Sequence, residues 1–224
     1  MRYRAKNTVV SFSVCAVAAF LLRCSGNPAM AGGVETTNGL TIIASGLTVH
    51  GSAPAGSKVS IFADSFNPAP NYRKAFSDSA SVDSGETFSF KQIGDSGAYN
   101  VIAINPLARR GAMFPSLYLR PDEYDSIFIP FDTLGEISGV TLTINNSDTT
   151  AFGFNDVYCK GTNFFTRSDS SGYYKMSNIP LGKYRVALVI QVALATVGPP
   201  EYEIEQAAEL NEKNLIVDLD FFVK

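Results

Sequence analysis

The chain has 224 residues, 46% of them hydrophobic and 17% charged, with 16 Phe, 10 Tyr and no Trp. That composition belongs to a globular chain rather than a disordered one, and the length suits one large or two small domains. A net charge of −3 and a single histidine argue against a phosphate-binding basic face and against a multi-histidine metal site.

The N-terminus has the build of an export signal. Arg2, Arg4 and Lys6 precede an apolar run from Val9 to Leu22, broken only by Ser11 and Ser13. These 14 residues are short for a bilayer span and match a secretory apolar core. Two exits are open. Leu21-Leu22-Arg23-Cys24 is similar to a bacterial lipobox, which would make Cys24 the lipidated first residue, although Arg23 stands where a small residue is usual. Ala29-Met30-Ala31 instead fits the small-x-small rule of ordinary cleavage. The lipobox is the favoured reading, with 1–24 as signal and 25–38 as a small, polar tether. Ser25 after the cysteine then points to the outer membrane. Loss of 1–23 removes four basic and no acidic residues, leaving 14 basic against 21 acidic and a net charge of −7. A nucleic-acid partner is not expected of such a chain.

From Gly39 onward no long segment keeps a helical apolar period, and short alternating runs lie between turn residues, so the expectation is all-β. Strands are expected at 40–44, 47–49, 57–63, 73–82, 87–93 and 98–105, then a longer connection through Arg109 and Pro121, then 126–134. A second module starts at Gly135, with strands at 137–144, 156–160, 163–167 and 173–179. The last of these is expected to form a hairpin with 183–191 across Pro180-Leu181-Gly182. Residues 205–211 fit a helical turn or a strand about equally, and 215–223 close the fold. The modules are thus 39–134 and 135–224, each of a length that suits a seven-stranded sandwich.

Two phrases repeat. Asp83-Ser84-Gly85 leads through an alternating strand to a second turn and Tyr99; Asp169 to Gly172 leads the same way through Pro180 and Gly182 to Tyr184. Recurrence of a supersecondary unit at this distance signals a duplicated β-module. The residue types explain themselves structurally. The aspartates can accept hydrogen bonds from turn backbone, Gly172 can take positive φ, Pro180 pre-sets φ, and each tyrosine can bury its ring with the hydroxyl at the rim.

The run Pro54-Ala55-Gly56-Ser57-Lys58-Val59, followed by Asp83, Gly85, Phe88, Phe90 and Tyr99, resembles the carboxypeptidase-regulatory-like domain. Thr166, Asp169, Gly172, Tyr174, Ile179, Pro180, Gly182 and Tyr184 fit the same pattern more closely. The resemblance implies two tandem prealbumin-like Greek-key β-sandwiches. Tandem modules behind a lipobox are also similar to envelope lipoproteins of polysaccharide-degrading bacteria such as Fibrobacter. The resemblance carries no catalytic residue.

No chemistry emerges from the remaining residues. His50 reads as a solvent-exposed strand-end residue. Cys159 alternates in a strand and reads as a buried, inert thiol. Asp122, Glu123 and Asp125 lack any calcium-loop spacing and read as a solvated loop. Neither an enzyme nor a metal or cofactor site is expected. Sugar stacking is the one binding chemistry with candidates: Phe66 and Tyr72 beside the Asn67–Asn71 loop, and the pairs Phe164-Phe165 and Tyr173-Tyr174, one of each facing away from its own core. The function expected is therefore a structural or interaction-mediating envelope lipoprotein, held to the membrane by lipid. The alternatives are a carbohydrate-binding surface protein and an accessory subunit that positions a polysaccharide-degrading enzyme.

Overall fold

The computed structural model of the protein describes residues 38–69, 75–91, 93–145, 148–191 and 201–223. The export signal, Cys24, the tether up to residue 37 and Tyr72 lie outside these. The part from Thr36 onward forms one compact unit. Every regular element in the described residues is a strand, and the strands build two β-sandwiches in tandem.

The first sandwich contains β1 (Gly39–Ser45), β2 (Thr48–Ser52), β3 (Lys58–Ala63), β4 (Ser77–Ser81), β5 (Thr87–Phe90), β6 (Gly97–Asn105), β7 (Arg110–Leu119), β8 (Tyr124–Pro130) and β9 (Asp132–Thr133). One sheet has the order β5-β2-β1-β8 and the other β4-β3-β6-β7-β9. Alternation puts Leu40, Ile42, Val49, Phe88 and Phe90 of the first sheet against Val59, Ile61, Tyr99, Val101 and Leu117 of the second.

The second sandwich contains β10 (Gly135–Asn145), β11 (Asp148–Ala151), β12 (Asp156–Cys159), β13 (Phe165–Arg167), β14 (Tyr173–Ile179), β15 (Gly182–Gln191), β16 (Glu201–Leu210), β17 (Ile216–Asp218) and β18 (Phe221–Val223). β10 pairs antiparallel with β11 and β14 and parallel with β17 and β18. The opposing sheet runs β13-β12-β15-β16. Ile137, Tyr174, Met176 and Phe221 face Val157, Cys159, Tyr184, Val186 and Leu188 across this core. No strand before Leu134 pairs with one after it among the described residues.

Several expectations need correction. Among the described residues each sandwich has nine strands rather than seven. The connection after Asn105 is not a long loop: it contains β7, ten residues long and paired with β6 over most of its length. Pro115 hid that strand. It is tolerated because the register slips by one residue on β7 between Phe114 and Leu117, a bulge in which Ser116 takes φ 54°. β14 and β15 do not form a hairpin. β14 pairs with β10, and β15 with β12 and β16, so Pro180-Leu181 carries the chain from one sheet to the other. Residues 205–210 are strand, the outer part of β16. His50 is half-buried inside β2, opposite Ile43 and Ser89, rather than at an exposed strand end.

The repeated phrases form the same device twice. Asp83 Oδ1 accepts the Gly85 N–H at 2.8 Å, and Asp169 Oδ1 accepts the Ser171 and Tyr173 N–H groups at 2.8 and 3.0 Å. The Tyr99 hydroxyl donates to the Asp95 carbonyl at 2.7 Å, and Tyr184 donates to Pro180 at 2.6 Å, each four residues back. The glycines are not equivalent, however. Glu86 and Gly172 both donate their N–H to the aspartate carbonyl three residues earlier, and both have positive φ, 56° and 81°. Glu86, not Gly85, is therefore the counterpart of Gly172.

Candidate functional site

The tandem sandwiches meet along the outer face of β3, β6 and β7, and the meeting is built from buried groups. Asn100 projects from the outer face of β6 and is buried. Its Oδ1 accepts the Ser116 N–H of the β7 bulge at 2.9 Å, and its Nδ2 donates at 2.9 Å to the carbonyl of Gly161, between β12 and β13. The Gly161 N–H in turn donates to the Phe66 carbonyl at 2.9 Å. Gly161 sits at φ 67°, and a Cβ there would collide with Asn100 Nδ2. Only glycine combines that backbone with that approach.

An apolar cluster surrounds this contact. Phe62, Phe66 and Ile102 are buried together with Met113 and Phe164 partly buried against them. The Phe62 and Phe66 ring centroids lie 5.0 Å apart. Phe164 also meets Tyr184 edge-on at 6.1 Å, so the seam is continuous with the second core. At its rim Arg185 pairs with Asp64 at 2.9 Å.

Beside the seam lies a polar cleft of about 460 Å³, lined by Asp64, Asn67, Tyr158, Lys160, Arg185 and Glu203. Asn67 Nδ2 donates to the Tyr158 hydroxyl at 2.7 Å, which donates to Glu203 at 2.5 Å. Glu203 pairs with Lys160 at 2.6 Å, and Lys160 also contacts Glu205. Burial opposes the charge on both Lys160 and Glu203. The mutual hydrogen bonds outweigh it, raising the lysine above its ordinary range and holding the glutamate below its own. The polar groups thus satisfy one another, which stiffens the cleft wall.

The predicted sugar-stacking rings are mostly consumed in packing. Phe66 is 7% exposed and belongs to the seam. Tyr174 is 1% exposed, because its position in β14 faces the core. Phe164 is half-buried in the seam, and Phe165 is half-buried against Tyr158, Ala187 and Val189. Tyr173 alone of the described candidates is exposed. The structure instead exposes Tyr124 and Phe128 of β8, at 65% and 60%, and Tyr118 of β7, under the Arg120 guanidinium at 4.5 Å. Their signal was the alternation Tyr124, Ser126, Phe128, hidden by starting the strand at Ser126.

Cys159 is fully buried, and desolvation pushes its thiol far above the ordinary range, which disfavours the thiolate. Asp122, Glu123 and Asp125 are exposed, and Glu123 pairs with Arg120 at 2.7 Å. No group of three or more His, Cys, Asp or Glu is placed to hold a metal among the described residues.

No protein-family model and no curated protein sequence matches the chain. Solved structures give distant likenesses. GBS52, the minor pilin of Streptococcus agalactiae, is 10% identical over 77% of this chain and 84% of that one, with a TM-score of 0.35. BcpA, the major pilin subunit of Bacillus cereus, is 14% identical over 78% of this chain, at a TM-score of 0.32. The chain spans 63% of the length of BcpA. The Bacillus anthracis TIE protein is 12% identical over 79% of this chain and 37% of its own, at a TM-score of 0.26.

Proposed function

We propose that this chain is an exported, non-enzymatic envelope protein whose tandem sandwiches act as one stiff spacer, carried on a lipid at Cys24. The observation that supports a spacer is the seam. Two modules meant to swing would meet through a polar, hydrated contact. Here a buried asparagine bridges a β-bulge and a glycine turn, inside an apolar cluster to which both modules contribute. The N-terminal signal and lipobox-like Cys24 support export and anchoring.

Carbohydrate binding is the less supported alternative, because the packing of Phe66, Phe164, Phe165 and Tyr174 removes most of the rings that suggested it. An accessory role beside a separate enzyme fits a stiff spacer equally well. The anchor is tested by metabolic labelling with radioactive palmitate and by membrane fractionation. A diacylated Cys24 gives label and membrane partitioning that Cys24→Ala abolishes, since two acyl chains anchor stably. An N-terminus at Gly32 would instead place cleavage after Ala31 and end the anchored reading.

A further inference from the structure

Sheet edges are where β-proteins guard against pairing with other chains, and here the β8 edge is guarded least. Most strands on the sheet edges are short: β5 and β11 have four residues, β13, β17 and β18 three, and β9 two. β4 has five, carries Asp78 and has no large side chain. β16 is long but presents Glu203, Glu205 and Glu209; β14 has seven residues and carries Lys175; and β7, beyond its two-residue pairing with β9, carries Pro115 and the bulge. Brevity and like charge are both standard defences of an edge. β8 has neither. It runs seven residues, YDSIFIP, with Asp125 its only charge, and β1 is its only strand partner among the described residues.

The free edge can be read atom by atom. The Phe131 N–H donates to Asn38 and the Glu123 carbonyl accepts from Gly46, so the odd-numbered residues of this stretch turn their peptide groups toward β1. In an antiparallel sheet the alternate residues must then point theirs outward. Those are Tyr124, Ser126, Phe128 and Pro130. Pro130 has no N–H to offer and sits where its lack does no harm, which ends the usable edge at Phe128.

We propose that this edge pairs antiparallel with β8 of a second copy of the chain, centred on Ser126. In that register Ser126 lies opposite Ser126 of the copy and Tyr124 opposite Phe128 of the copy. Every outward N–H of Tyr124, Ser126 and Phe128 meets a carbonyl, and Pro130 is not asked to donate. The exposed rings become cross-strand aromatic pairs on the sheet's outer face. Asp125 falls opposite Ile127 of the copy rather than another Asp125, so no like charges meet. The same arrangement on β16 would bring rows of glutamates together, and on β14 centred on Lys175 it would set two lysines opposite each other, which fixes the choice of edge. An antiparallel pair is two-fold symmetric, so it closes as a dimer. One strand pair buries less than the roughly 1,200 Å² of stable complexes, so the dimer is weak and concentration-dependent.

The test uses the full chain extracted from the envelope of expressing cells, with a short thiol-to-thiol cross-linker and sedimentation over a concentration series. Ser126→Cys should cross-link to a dimer, whereas the unsubstituted chain and Ser89→Cys, on the opposite edge strand β5, should not. Ser126→Lys sets two ammonium groups opposite each other and should weaken association by about tenfold or more, with an unchanged melting curve. A chain that stays monomeric, with no more cross-linking at 126 than at 89, would overturn the proposal. So would a dimer that survives Ser126→Lys, or β8 protected from hydrogen exchange only when a soluble glycan is added.

Discussion

The first and second sandwiches carry out the same plan with one strand's difference. In the first, β2 pairs with β5 on one side and β1 on the other, and β1 pairs with the closing strand β8. Two antiparallel steps leave β8 parallel to β2. In the second, β10 pairs with β14 as β2 does with β5, but the closing strands β17 and β18 lie directly on β10 and run parallel to it. The direction of the closing strand is the same in both, and the strand between has been dispensed with. The opposing sheets keep the matching order β4-β3-β6-β7 and β13-β12-β15-β16. What persists is the frame set by the aspartate turn and the tyrosine; strand number at the sheet edge is free to vary.

The comparison can be broken most sharply at the turn. Gly172 has φ 81°, and a Cβ there would overlap the Thr141 carbonyl oxygen. Gly172→Ala should cost about 2–4 kcal/mol from backbone strain and displaced packing together, read by denaturant unfolding. A loss under about 0.5 kcal/mol, the ordinary range for a surface change, would deny the turn its role.

The tyrosines come next. Tyr184→Phe leaves the buried Pro180 carbonyl without its donor and should cost about 1–3 kcal/mol. Tyr99→Phe breaks a less buried bond to Asp95 and should cost about 1 kcal/mol. Equal losses would erase the difference between the two corners. Burial also raises the pKa of Tyr99 and, further, of Tyr184 and Tyr174. Unfolded tyrosine ionises near pH 10 while the folded groups still hold their protons. The unfolded state therefore binds fewer protons, and stability falls as pH rises above about 10. Tyr184→Phe should blunt that fall more than Tyr99→Phe, as followed by thermal melts from pH 8 to 11.

Glu86 sets the smallest effect. It holds φ 56° where its counterpart is glycine, so Glu86→Gly relieves strain of about 1 kcal/mol at most, offset by added freedom in the unfolded chain. With the interaction that Glu86 makes also lost, the net change should stay within about 0.5 kcal/mol, and a loss above about 1 kcal/mol would mean that Glu86 itself holds the turn.

The strands and the tandem plan were legible because alternation and Asx-type turns are local signals. Asp169 and Tyr184, or Asp83 and Tyr99, announce themselves by chemistry that acts within a few residues. Sheet partnership is not local, which is why β14 and β15 read as a hairpin across Pro180. β7 was obscured because Pro115 signals a break, and nothing near it in sequence reveals that Asn100 caps the bulge. The seam was equally hidden. Gly161 reads as a turn glycine, and its need to admit Asn100 appears only when residues 61 positions apart are brought together. Phe66 and Phe164 then changed from candidate binding rings to packing.

Whether the sandwiches form one stiff body is read by residual dipolar couplings of the exported protein in a weakly aligning medium. Amides from β1–β9 and from β10–β18 should fit a single alignment tensor. Asn100→Ala, which strips the bridge to Gly161 and the cap on Ser116, should split that tensor in two while leaving each sandwich folded. Two distinct tensors in the unsubstituted protein would show modules that move independently, and would contradict the stiff body.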